Sequence, residues 1–127
     1  MSQFLKTFIF VVVGSALVFG QPHVEVGKDF LKQRKIPEAL VALRQATHLY
    51  PRSAEAWLYL AKAQFLSSMP DSAEESAKRS QTIDDENPET YLVISQAQLV
   101  KKNAKDAYAT AKAGLKEIGR ASCRERV

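Results

Sequence analysis

Apolar residues recur along the chain at helical spacing, in short blocks that end in polar, glycine or proline residues. Val26, Phe30 and Leu31 share one face of a segment from Val24 to Arg34, which predicts a first helix. Pro37 opens a second at a first-turn position, where proline's missing N–H is harmless, and Glu38 follows in the acid-favouring first turn. Its stripe is Leu40, Leu43, Ala46 and Leu49, and Tyr50-Pro51 ends it. Ser53 is placed to cap a third helix, which contains Trp57 and runs to about Ser67. Met69-Pro70-Asp71 turns the chain into a fourth helix of small residues, ending near Ile83. Asp84-Asp85-Glu86-Asn87-Pro88 breaks the pattern. Tyr91 to Val100 and Lys105 to about Glu117 make the fifth and sixth helices, with Lys101-Lys102-Asn103 between them. With no strand pattern and no glycine-rich loop, the predicted class is all-α.

The six helices repeat in pairs with a period of 34 residues. Trp57 maps onto Tyr91; Leu60 maps onto Ile94 and back onto Val26. One position holds only small residues, Gly27, Ala61 and Ser95, and another is always alanine, at 39, 73 and 107. Small residues there let two helix backbones approach closely, while Leu43, Leu60, Phe65 and Ile83 are expected to fill the space around them. One helix pair cannot bury its apolar face alone, so neighbours stack and about three repeats are needed. The repeats run at about 20–53, 54–87 and 88–121.

A helix–turn–helix period of this length, with the pattern W-x2-L-G-x2-Y…A-x3-F…P, is that of the tetratricopeptide repeat. The second copy here reads Trp57-x2-Leu60-Ala61-x2-Gln64…Ala73-x3-Ala77. The third reads Tyr91-x2-Ile94-Ser95-x2-Gln98…Ala107-x3-Ala111, and the first His23-x2-Val26-Gly27-x2-Phe30…Ala39-x3-Leu43, closed by Pro51. The chain resembles this family over nearly everything after residue 22. It departs from the pattern at Gln64 and Gln98, which replace a tyrosine, and at Asp85, which replaces the closing proline. The resemblance implies a right-handed α-solenoid of antiparallel helix pairs, a superhelix whose first helices line a concave groove that holds peptides. The groove positions would be Val24, Lys28 and Leu31, then Leu58, Lys62 and Phe65, then Leu92, Gln96 and Leu99, an apolar floor with two lysines. Such a floor suits a peptide with hydrophobic anchors and an acidic group. Co-chaperone members of the family clamp a terminal carboxylate with Lys, Asn and Arg. Here the comparable places hold Leu58, Tyr59, Leu92 and Val93, so that polar set is missing.

Charge narrows the picture further. The formal net charge is +4, but residues 21–117 carry 14 Lys and Arg against 13 Asp and Glu. The basic excess sits at the ends, so nucleic acid is not an expected partner. The N-terminus, MSQFLKTFIFVVVGSALVFGQ, places one lysine before an apolar run from Thr7 to Phe19. This is the layout of a signal peptide cleaved after Gly20, and the run is shorter than the roughly 20 residues of a confident membrane span. An uncleaved anchor is the alternative, and a mature start at Gln21 would exclude it. No lipobox-type cysteine follows, and no disulfide framework is available, since Cys123 is the only cysteine. The final ten residues, Ile118–Val127 (IGRASCRERV), resemble a translated sequencing adapter and are expected to be a non-native tail.

No catalytic constellation stands out. His23 and His48 lack HxxxH or HExxH spacing, so no metal site is expected. Asp84-Asp85-Glu86 lacks the glycine and spacing of a calcium loop. Ser53, Ser67 and Ser68 have no nucleophile-elbow context, and Glu74-Glu75 reads as an exposed helical face. The expectation is a non-enzymatic scaffold or adaptor without cofactor, exported to the periplasm or beyond, that binds a protein or peptide. The alternatives are the substrate-presenting part of a larger enzyme or transport protein, which sequence past Glu117 would reveal, and a membrane-tethered assembly factor.

Overall fold

Each helix starts where the sequence supplies a start signal. In the computed structural model, which describes residues 21–125, Pro22 begins α1 (Pro22–Lys32) and Pro37 sits in the first turn of α2 (Ile36–Leu49). The Ser53 hydroxyl accepts from the Ala56 N–H at 3.2 Å to cap α3 (Ala54–Leu66). Pro70 opens α4 (Pro70–Ile83). One period after Ser53, Asn87 caps α5 (Pro88–Val100) by accepting from the Glu89 N–H at 3.0 Å. The sixth helix, α6, spans Ala104–Glu125. The expected signal peptide or anchor, residues 1–20, lies outside the described residues.

The first helix of every pair ends in the same way. Arg34, Ser68 and Lys102, one period apart, have φ of 62°, 61° and 62°. In each case the next N–H closes a six-residue ring: Lys35 to the Phe30 carbonyl, Met69 to Gln64 and Asn103 to Gln98, all at 2.9 Å. This is the left-handed helix stop that usually takes glycine. Ser68 is exposed and side-chain contacts do not explain it there. Ser68→Gly is therefore expected to stabilise the fold by about 0.5–1 kcal/mol. The check is a urea midpoint that rises at constant slope; a fall would reject the argument.

The helices pair as α1–α2, α3–α4 and α5–α6, and each pair stacks on the next. Among the described residues no other layer exists, so the fold is an all-α helical-repeat solenoid. The small-residue seam is buried as expected: Ala39, Ala61 and Ala73 are 0% exposed, Ala107 2% and Ser95 6%. Volume is exchanged across the seam. A Cβ on Gly27 would lie 2.5 Å from Cγ and Cδ2 of Leu43. In the second and third repeats the same two positions are Ala61 with Ala77 and Ser95 with Ala111. A glycine opposite a leucine in one repeat thus does the work of two small residues in the others.

The departures from the repeat pattern have physical explanations. Gln64 and Gln98 are buried, and their amide oxygens accept from the hydroxyls of Ser76 at 2.7 Å and Thr110 at 2.9 Å. The first repeat has an apolar couple, Phe30 and Ala42, at those positions. Asp85 replaces Pro51, yet both offer the same group. The Trp57 indole N–H donates to the Pro51 carbonyl at 2.9 Å, and the Tyr91 hydroxyl to the Asp85 carbonyl at 2.7 Å.

Four expectations need correction. Val26 is half exposed, unlike its register partners Leu60 and Ile94, because they are covered by a preceding repeat. Val24 is the fully buried residue of α1 instead. Ile83 is exposed at the last turn of α4 rather than filling the core. The final helix does not stop near Glu117. It continues because no proline or left-handed residue interrupts it, Arg120 pairs with Glu117 one turn away at 3.0 Å, and the Arg124 guanidinium forks onto the Glu86 carboxylate with two bonds of 2.8 Å.

The fourth correction is Glu74, which is buried rather than exposed. Its carboxylate lies between α4 and α5, where it accepts from Lys78 at 2.6 Å, Lys101 at 2.8 Å and the Gln98 amide at 3.2 Å. Burial works against its charge, but Lys101, Lys78 and Gln98 outweigh that and hold its pKa at about 2. Lys101 also bridges to Asp71 at 2.8 Å, and Asp71 and Glu74 together raise its pKa above the ordinary lysine value.

Candidate functional site

The first helices form the inner side of the array. α1 touches α3, and α3 touches α5, in addition to the second helices that intervene. On this face the seven sequence-predicted positions other than Lys28 and Lys62 divide into three groups. Val24 and Leu58 are 0% and 3% exposed. Val24 packs with Ala46, Ala56 and Tyr59, and Leu58 with Ala61, Ala77, Val93 and Ile94, so both belong to the core between repeats and not to a surface. Leu31 and Phe65 are half-buried, Leu31 against the Ala39, Leu43, Leu60 and Ala63 cluster. Leu92, Gln96 and Leu99, all in the third copy, are exposed.

Lys28 and Lys62 are not free cations. Lys28 bridges to Glu25 at 2.9 Å and to Glu55 of the next repeat. Lys62 bridges to Glu89 of the repeat after that, at 2.6 Å. Lysine and glutamate both recur with the 34-residue period, so these are two rungs of one ladder. The Tyr59 ring lies between them, 5.0 Å from the Lys28 ammonium and 4.5 Å from that of Lys62. Partial burial disfavours the Lys28 charge, but Glu55 and Glu25 raise its pKa beyond the ordinary value. The third position on the lysine row is Gln96, which carries no charge. Glu55, Tyr59 and Glu89 were missed as site residues, although their spacing relative to Lys28 and Lys62 is visible in the repeat.

The ladder neutralises the centre of the inner face and leaves its open apolar surface toward one edge. Leu66 and Val100 are register partners at the ends of α3 and α5, 55% and 58% exposed, next to Phe65 and the 57% exposed Leu99. Aromatic and aliphatic surface on two successive repeats therefore lies beside a neutral polar strip. His23 and His48, distant in sequence, line one shallow hollow with Arg44 and Leu49. Among the described residues no group of three or more His, Cys, Asp or Glu is placed to hold a metal ion, and no helix is long and apolar enough to cross a membrane.

Repeating antiparallel pairs with an inner row of first helices define a helical-repeat solenoid. Residues 26–88 match the tetratricopeptide repeat family, and the third pair continues the same register. The chain is a tetratricopeptide-repeat protein. Solved structures agree on the fold. The TPR2B domain of yeast Sti1 in its pHsp70 complex superposes with a TM-score of 0.76 at 19% identity, over 83% of this chain and 87% of that one. The Yersinia enterocolitica type III secretion translocator chaperone SycD gives 0.75 at 14% identity, over 78% and 75%. The Sgt2 TPR domain from Aspergillus fumigatus gives 0.73 at 17%, over 77% and 65%. No curated protein matches at the level of sequence.

Proposed function

We propose that this chain is a non-enzymatic interaction module that holds a protein or peptide segment along the inner face. One observation carries the reading: Phe65, Leu66, Leu99 and Val100 leave apolar surface on successive repeats next to a lysine row already neutralised by Glu55 and Glu89. The ligand that fits is an extended or helical segment with two apolar anchors. An acidic anchor, expected from the sequence, would have to displace Glu55 or Glu89 before it reached Lys28 or Lys62. SycD is a translocator chaperone and the Sti1 domain is in complex with pHsp70, which supports an interaction role by analogy of fold. The N-terminal apolar run supports export of the module, with residues 21 onward outside the cytoplasm.

The test substitutes exposed or half-buried positions and leaves the core intact. Selection from a phage-displayed peptide library on the folded wild type is expected to enrich segments with two apolar anchors. Phe65→Ser with Leu99→Asp is expected to lose that enrichment while keeping its helical circular dichroism. Equal enrichment on the folded double variant places the site elsewhere. Leu58→Asp does not serve this purpose, because it would put a carboxylate into the core.

A further inference from the structure

Carboxylates of this chain already engage the two lysines of the inner face. Lys28 reaches Glu55 and Lys62 reaches Glu89, each across a repeat boundary. Lys28 has a second carboxylate in Glu25, whereas among the described residues Lys62 pairs with Glu89 alone, at 2.6 Å. Neither rung is sealed from solvent. The Lys28 and Lys62 side chains are 17% and 30% exposed, and those of Glu55 and Glu89 are 51% and 55% exposed. A partner that reaches the strip therefore meets carboxylate before it meets ammonium. The strip also lies where a partner passes. Lys62 sits one helical turn before Phe65 and Leu66, so a segment resting on those two residues runs beside the Lys62–Glu89 rung.

An acid on a partner faces two obstacles at this strip. It approaches glutamates that are more exposed than the lysines, and like charges brought side by side disfavour a complex. It also competes for each lysine with a glutamate held in the same chain, whose effective concentration is roughly millimolar or above whatever the partner's concentration. An apolar or uncharged polar side chain meets neither obstacle. The third position on the lysine row, Gln96, offers no cation that would draw an acid further along. Glu89→Gln keeps the shape of the side chain and removes its charge, and so opens Lys62 to an outside acid. Glu55→Gln would achieve less, because Lys28 would keep Glu25.

We infer that Glu89 is a specificity-determining residue: a built-in carboxylate that occupies Lys62 and confines the inner face to partner segments whose apolar anchors are not flanked by acid. This rests on the inner-face reading and names the kind of segment it admits. The probe is the phage-displayed peptide library, selected in parallel on the folded wild type, on Glu89→Gln, and on Glu89→Gln with Lys62→Gln. Inner-face segments are those whose enrichment is lost on Phe65→Ser with Leu99→Asp. Among them, Asp and Glu beside an anchor are expected to be at least fivefold rarer on the wild type than in the starting library. On Glu89→Gln they are expected to be at least fivefold commoner than on the wild type, and Lys62→Gln is expected to abolish that gain. Both residues are partly exposed, so all three proteins are expected to keep their helical circular dichroism. Acid-flanked segments selected by the wild type overturn the inference and leave the inner-face reading standing. So does a Glu89→Gln protein that is less stable yet selects unchanged sequences, since the rung is then only a structural tie, and so does a gain that survives Lys62→Gln. If no protein selects segments through Phe65 and Leu99, both readings fall.

Discussion

Leu43→Ala is expected to lower the unfolding free energy by about 3 kcal/mol, and Gly27→Ala to change sign between the two backgrounds. Leu43 is 0% exposed and is among the largest fully buried side chains of the described residues. Its truncation removes a buried isobutyl group and leaves space facing Gly27. In the native background an added Cβ at residue 27 meets Leu43 at 2.5 Å. Overpacking of that kind costs about 1–3 kcal/mol, against about 1 kcal/mol gained by replacing glycine inside a helix. The net expectation is a loss of about 1 kcal/mol. In the Leu43→Ala background the same methyl enters vacated space and recreates the Ala61–Ala77 pairing of the second repeat. There it is expected to recover about 1 kcal/mol, for a coupling near 2 kcal/mol. Urea unfolding of the four proteins in the cycle measures this, and additivity within about 0.5 kcal/mol would reject volume exchange across the seam.

Glu74→Gln is expected to destabilise the protein by about 2 kcal/mol at neutral pH and by much less near pH 2. The substitution keeps the shape but leaves Lys78 and Lys101 facing a neutral amide. The pH dependence follows from the depressed pKa. Glu74 holds its proton only below about 2 in the folded state, against an ordinary value of 4.5. The unfolded chain therefore takes up this proton first as pH falls. The stabilisation is complete above about pH 5 and is lost between there and pH 2, a change of about 1–2 kcal/mol for a carboxylate that solvent still reaches in part. The difference between wild type and Glu74→Gln should shrink across that window, because protonated glutamate and glutamine are close in charge and shape. A difference that stays constant from pH 7 to pH 2.5 would show that the Glu74 charge contributes nothing.

Periodicity made the architecture legible. The 34-residue register located all six helices, the small-residue seam and the Ser53 cap, because those features depend on residue type at a fixed position. It was less informative about exposure. Val24 and Leu58 fall on the inner-face row by spacing, yet the next repeat covers them, and Leu92 on the same row is exposed. Coverage depends on which neighbour is present, and a single-repeat pattern does not encode that. Glu74 was misread for a related reason. A helical wheel places it beside Glu75, but only the approach of α5 brings Gln98 and Lys101 to its carboxylate. The lysine ladder was within reach of sequence reasoning. Lys28 with Glu55 and Lys62 with Glu89 keep one spacing, and comparing charged positions by register as well as apolar ones would have paired them.

That ladder also bears on the shape of the array. Its two rungs tie successive first helices together on the inner side, while among the described residues no ion pair joins one second helix to another. Straightening the array must lengthen the inner side, and so must stretch both rungs. Their glutamates are about half exposed, so added salt screens them over a distance of roughly 8 Å at physiological ionic strength and less at higher concentrations. Weakening of the two rungs by salt therefore removes one restraint against flattening of the array.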